Sequence, residues 1–178
     1  MVKRVVISGC SGGGKSSIIR ALAAKGYTTF AEPGRHVVQT ETACGGTGLP
    51  WVDPDHFAKL VVALGTGQWQ AGAGLCFYDR SLIDAVTWYE RQADPVADEI
   101  AALVGQYRYD RTVFLVPPWP ETYVQDDERR HGLDAAINEY GALCESYPAK
   151  GYTTRIIPRL DIAARADWVI AAIESSQI

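Results

Sequence analysis

The sequence predicts a three-layer α/β fold, with a five-stranded parallel sheet carrying helices on both faces. Strand-like and helix-like segments alternate along the chain. Arg4 to Ser8, Leu75 to Tyr78 and Thr112 to Val116 are also largely apolar, as in strands covered on both faces. The 178 residues are 47% hydrophobic and 21% charged, with no internal repeat, low-complexity tract or long linker, so one domain over residues 1–178 is expected.

The elements follow in order. Arg4 to Ser8 is a β-branched run, read as a buried parallel strand. Lys15 to Lys25 is a helix with Ile18, Ile19, Leu22 and Ala23 on one face, stopped by Gly26. Tyr27 to Ala31 is the second strand. Pro33 to Thr42 and Asp53 to Gln70 are helices, joined by the glycine-rich loop Cys44 to Pro50; Asp53 before Pro54 reads as an N-cap followed by proline at the first helical position. Leu75 to Tyr78 is a short strand. Ser81 to Arg91 is a helix with Ser81 or Asp84 near its start, and another helix runs from about Pro95 to Tyr107. Thr112 to Val116 is a buried strand closed by Pro117-Pro118. Leu133 to Tyr147 is helical, Tyr152 to Ile157 is the last strand and Ala163 to Ile173 the last helix. Right-handed crossovers put ligands beyond the carboxyl ends of such strands, which places Gly9, Glu32, Asp79 and Pro117 along one rim.

The formal charge of −4 argues against a nucleic-acid binder, which would carry a basic face. Arginine outnumbers lysine, which suits phosphate recognition but equally reflects surface preference. Cys10, Cys44, Cys76 and Cys144 form no CxxC pair and no zinc-spaced cluster, so free thiols in a reducing compartment are expected. No apolar run is long enough for a membrane span, and the opening residues lack a signal-peptide pattern. A cytoplasmic protein is expected.

Gly9-Cys10-Ser11-Gly12-Gly13-Gly14-Lys15-Ser16 matches the phosphate-binding P-loop pattern G-x-x-x-x-G-K-[ST] in full. Nucleotide phosphates are bound by backbone N–H groups turned into one concavity, and glycine lets that backbone approach closely. Gly9, Ser11, Gly12, Gly13, Gly14, Lys15, Ser16 and Ser17 are the expected nucleotide contacts. Lys15 reaches the outer phosphates as a point charge, the Ser16 hydroxyl is a candidate Mg²⁺ ligand, and the following helix aims its positive end at the anion. A glycine-rich turn without a ligand is the plainer reading, but the position between an apolar strand and an amphipathic helix is where a P-loop belongs. Cys10 is either a small residue that fits the loop or a redox-sensitive thiol. No Asn-Lys-x-Asp guanine-reading segment is present, so ATP is the expected nucleotide, with GTP as the alternative.

Three rim residues extend the site. Asp79, ending an apolar strand, is a candidate Mg²⁺ ligand or an N-cap for the next helix. Arg80 braces a transferred phosphoryl group or forms a surface salt bridge. Glu32 accepts a proton from an attacking hydroxyl or caps the next helix. Trp119 is core or an aromatic platform for a base, and Trp88-Tyr89 read as core.

Glu32-Pro33-Gly34-Arg35 followed by Asp79-Arg80-Ser81 resembles the Glu-Pro and Asp/Glu-Arg-Ser motifs of deoxynucleoside kinases, with an echo of thymidylate kinase. The chain as a whole is similar to a family of small AAA-labelled ATP-binding proteins, kin to the kinase domain of NadR. The landmarks are the Gly9–Ser16 loop, Glu32-Pro33-x-Arg35, Trp51-x-Asp53-Pro54, Phe77-x-Asp79-Arg80, Pro118-Trp119-Pro120, Asp126-x-x-Arg129-Arg130 and Gly151-Tyr152…Pro158-Arg159. The resemblance implies a P-loop NTPase fold of the nucleoside- and nucleoside-monophosphate-kinase kind, with a lid over residues 118–132. It implies Glu32 as base or substrate contact, Arg80 as phosphate contact, and Arg129 and Arg130 as lid arginines that close over the phosphates and exclude water. The lid run also reads as a solvated charge cluster at a helix start.

Lys15, Glu32, Asp79, Arg80, Arg129 and Arg130 are therefore the candidate catalytic residues, with Ser16 and Asp79 the candidate metal ligands. The first functional expectation is a Mg-ATP phosphotransferase acting on a small nucleoside- or nucleotide-like acceptor. The second is a nucleotide-dependent ATPase or GTPase switch working through a protein or lipid partner.

Overall fold

The central strand β1, Lys3–Gly9, is buried on both faces: Val5 and Ile7 point to one side of the sheet and Val6 to the other, all fully covered. The computed structural model describes residues 2–91, 97–119 and 132–175. Four further strands, β2 (Thr28–Phe30), β3 (Leu75–Asp79), β4 (Thr112–Val116) and β5 (Thr153–Ile156), join β1 in one all-parallel sheet of order β2-β3-β1-β4-β5. Each strand lies within a residue or two of its expected position.

Helices α1 (Lys15–Ala24) and α7 (Ile162–Glu174) cover one face. They bury Ile18, Leu22, Val169 and Ile173 against Val5, Ile7, Phe77 and Phe114. The other face carries α3 (Pro54–Ala71), α4 (Leu82–Arg91), α5 (Ala97–Val104) and α6 (Leu133–Ala149), packed on Val6, Tyr78, Val113 and Leu115. Helix α2 (Pro33–Cys44) follows β2 and packs on α3.

Local chemistry sets the boundaries. Asp53 caps α3 by accepting from the His56 N–H at 3.0 Å, with Pro54 at the first helical position. Helix α5 stops at Val104, before Gly105, three residues short of the expected end. At α4, Ser81 Oγ accepts from Ile83 N–H at 3.0 Å, and Asp84 accepts from Ser81 N–H at 2.8 Å. This reciprocal capping box leaves Asp79 free of any capping duty.

The crossover from β1 leads to β2 on one side of the sheet and that from β3 leads to β4 on the other, so the two diverge and open a crevice between β1 and β3. Register brings Asp79 beside Ile7, and Gly9 beside Val116. The expected rim is thereby assembled from Gly9, Asp79, Val116 and, two residues past β2, Glu32. Among the described residues no helix is long and apolar enough to cross a membrane.

A candidate phosphotransfer site

The loop between β1 and α1 is shaped by its glycines. Gly9 has φ of 124°, and a Cβ there would lie 2.2 Å from the Val116 carbonyl oxygen. Only glycine lets the loop leave the sheet so close to β4. Gly14, in the left-handed region at φ of 87°, turns the chain into α1. Gly12 also takes a positive φ, and Gly13 is buried against Val116 and Cys10. The loop thus wraps around the N-terminus of α1, where unpaired N–H groups and the helix dipole attract anions.

The side chains converge on the same place. Lys15, only 4% exposed, folds back over the loop and donates to the Cys10 carbonyl at 2.6 Å. Ser16 Oγ donates to Asp79 Oδ2 at 2.7 Å. The other oxygen of Asp79, Oδ1, is buried with no hydrogen-bond partner among the described residues. Burial pushes the Asp79 carboxyl up, against the pull of Lys15. Ser17, by contrast, sends its hydroxyl to the helix surface, where it accepts from Arg20 at 3.1 Å.

Cys10 is fully buried with its Sγ toward the Val116 carbonyl, and burial pushes its thiol up. A thiol with neither exposure nor thiolate character is a poor redox sensor. The structure makes Cys10 a small packing residue.

Arg80 organises the rest. It directly follows β3 in a left-handed conformation, φ 69°, which is strained for a side chain with a Cβ. Its Nε meets Glu32 Oε1 at 2.9 Å, and its Nη1 meets Glu139 Oε1 at 2.8 Å and Asp84 Oδ1 at 3.4 Å. Asp84 is anchored in turn by the Ser8 hydroxyl at 2.5 Å and the Tyr147 hydroxyl at 2.6 Å. Glu139 Oε2 accepts from the Ser11 backbone N–H at 2.9 Å, which ties α6 to the phosphate loop. Burial opposes ionisation at Glu32 and Glu139, but Arg80 and then Lys15 outweigh it, and both carboxyls lie below the usual carboxylate range.

From this cluster a cavity of about 330 Å³ runs inward between α2, α3, α4 and α6. Ser11, Glu32, Arg80 and Glu139 line it beside the phosphate loop, and Phe57, Trp88, Tyr78 and Tyr109 give it aromatic walls. Trp88, expected in the core, packs partly buried against it and also lines the cavity, set edge-on to Phe57 at 6.2 Å between ring centres. On the opposite side of the loop the Arg165 guanidinium stacks over Trp119 at 4.2 Å, close to Gly14.

The structure thus brings together the loop, Lys15, Ser16, Glu32, Asp79 and Arg80. Arg129, Arg130 and most of the expected lid lie outside the described residues. Sequence reasoning missed Glu139 and the part Asp84 plays. The Ser81-x-x-Asp84 capping pattern was a signal for Asp84, whereas Glu139 sits inside a helix with no motif around it.

Fold and loop together define a P-loop protein of the kinase-like kind, similar in architecture to nucleoside and nucleoside monophosphate kinases. A family model described as an AAA domain matches residues 4–165, and the chain belongs to that family. No curated protein sequence matches it. Among solved structures, NadR in complex with NR superposes with a TM-score of 0.70 at 18% identity, over 98% of this chain and 51% of that one. The chain thus spans about half of NadR. Thymidylate kinase from Candida albicans gives 0.69 at 13% identity, covering 99% and 92%. Deoxyadenosine kinase from M. mycoides, solved with its products, gives 0.64 at 16%, covering 97% and 99%. At these identities the likeness establishes the fold.

Proposed function

We propose that the protein is a Mg-ATP-dependent phosphotransferase that moves the γ-phosphate to a hydroxyl of a small nucleoside-like acceptor held in the aromatic cavity. The observation that carries this reading is the Glu32–Arg80 pair, 2.9 Å apart, at the point where the cavity meets the phosphate loop. A pure hydrolase needs only water at that point. A cleft with aromatic walls and a carboxylate beside the phosphate loop suits a flat heterocycle with a hydroxyl turned toward the phosphates.

Three carboxylates, Glu32, Asp84 and Glu139, surround the single guanidinium of Arg80. Arg35 and Arg91 line the same cavity, so both charges are present there, and a substrate hydroxyl would find a carboxylate acceptor in Glu32.

In this reading the loop amides and Lys15 hold the β- and γ-phosphates. Ser16 and Asp79 fit Mg²⁺, because they are adjacent hard oxygen donors and Asp79 Oδ1 lacks a partner. The ion would neutralise charge developing on the transferred group. Glu32, ionised at neutral pH, orients the acceptor hydroxyl and takes its proton. Arg80 braces the phosphoryl oxygens in flight. Trp119 under Arg165, beside Gly14, offers a surface for the donor base. Arg129 and Arg130 are proposed to add positive charge from the segment between β4 and α6.

The test is ADP release from Mg-ATP with and without a panel of nucleosides, nucleoside monophosphates and small ribosides, with Lys15→Ala as the blank. Stimulation by a hydroxyl acceptor supports the proposal. Slow release that no acceptor changes would favour a nucleotide-dependent switch.

A further inference from the structure

Glu139 belongs to no recognisable motif and projects from α6, yet it reaches the phosphate loop. One of its oxygens accepts from the Ser11 N–H at 2.9 Å, and the other pairs with Arg80 Nη1 at 2.8 Å. Ser11 lines the acceptor cavity, so it stands at the cavity-facing end of the loop, where the terminal phosphate of a triphosphate would lie. The two donors held by Glu139 are thus the two that face a group in transfer. A carboxylate spanning a backbone amide and a guanidinium makes the same charge-assisted bonds as a pair of phosphoryl oxygens. Arg80 has Glu32 and Asp84 as further partners, so its charge is met without Glu139.

We propose that Glu139 is an internal phosphate surrogate: it occupies the donors between Ser11 and Arg80, and the γ-phosphate of an incoming nucleoside triphosphate displaces it, so that α6 senses whether a transferable phosphate is present. The proposal rests on reading the loop as a triphosphate site. Two anions cannot share these donors in a site sheltered from water, so triphosphate binding competes with the carboxylate. A nucleoside diphosphate, one phosphate shorter, leaves the Glu139 contacts in place.

The experiment is calorimetric titration of Glu139→Gln, Glu139→Ala and Lys15→Ala with Mg-ADP and with a non-hydrolysable triphosphate, with melting curves confirming the fold. Glu139→Gln keeps the shape of the side chain and guards against loss of packing in the alanine variant. Both Glu139 variants are expected to bind the triphosphate about tenfold more tightly, the worth of one charge-assisted hydrogen bond, and ADP as before. An equal gain for both nucleotides would reveal a general charge effect and overturn the proposal. Unchanged binding of both nucleotides in the Glu139 variants would overturn it too. Lys15→Ala separates the two levels of the argument. Should it bind the triphosphate as wild type does, the phosphate-site reading itself fails. Should it lose binding while the Glu139 variants gain none, only the surrogate role fails.

Discussion

The two faces of the sheet are built differently. The α1/α7 face is closed mainly by aliphatic side chains with Phe77, Phe114 and Trp168 and, among the described residues, holds no buried polar network; beside it the phosphate loop is made chiefly from backbone. The α3–α6 face is rich in tyrosine and buried polar groups and lines the cavity. Tyr147, fully buried on that face, donates to Asp84, and its hydroxyl and Ser81 Oγ lie 2.8 Å apart. The difference separates two tasks. Phosphates are alike in every nucleotide, and a loop of N–H groups recognises them. In the proposed reading an acceptor would be recognised by shape and by particular side chains, in the cavity lined by α2, α3, α4 and α6.

That division can be tested by striking each side separately. Lys15→Ala should have the largest effect, a loss of about 10³-fold in turnover with the melting temperature retained, because it removes a preorganised charge from the transferring group. Equal loss of fold and turnover would remove its meaning. Glu32→Gln should cost about 10²-fold in kcat, the scale of a general base, while leaving the Kd for Mg-ADP unchanged. Trp88→Ala should act on the acceptor alone, raising its KM by roughly tenfold through lost ring contact. A matching rise in the KM for ATP would break the proposed separation of donor and acceptor sides.

The smallest effect concerns pH. Glu32 and Glu139 have folded-state carboxyls held below the ordinary value of 4.5, so the unfolded chain takes up protons there first as pH falls. Their contribution to stability is complete above that value and is lost as pH drops below it through the lower folded values. Melting temperature followed from about pH 6 to about pH 3 should fall, and less steeply in Glu139→Gln. Identical slopes would show that Glu139 is not held ionised by Arg80 and Lys15.

The same contrast explains what was legible in the sequence. The phosphate loop is contiguous, and each position carries a chemical requirement, so Gly9 to Ser16 could be read directly. The three central strands were legible because burial on both faces forces apolar runs such as Val5-Val6-Ile7, whereas the edge strands β2 and β5, half-buried and rich in threonine, were placed by alternation with helices. Glu32, Asp79 and Arg80 were legible from strand ends, since parallel topology brings those ends to one rim. Glu139 was hidden because it lies in a helix far along the chain, and only the packing of α6 brings it to Ser11. Trp88 was placed in the core because helical spacing marks a residue as inward-facing without telling a filled interior from a cavity. The positive φ at Arg80 had no sequence signal either, since a left-handed arginine is a consequence of the contacts that hold it.

The most direct test of the central claim follows the phosphate itself. The protein would be incubated with Mg-ATP labelled at the γ-phosphorus and with each member of a nucleoside panel, and the label traced in wild type and Glu32→Gln. The account predicts label on a hydroxyl of at least one nucleoside in the wild type, reduced about 10²-fold by the substitution. Label found only in inorganic phosphate, for every nucleoside and at the same rate as without one, would contradict it.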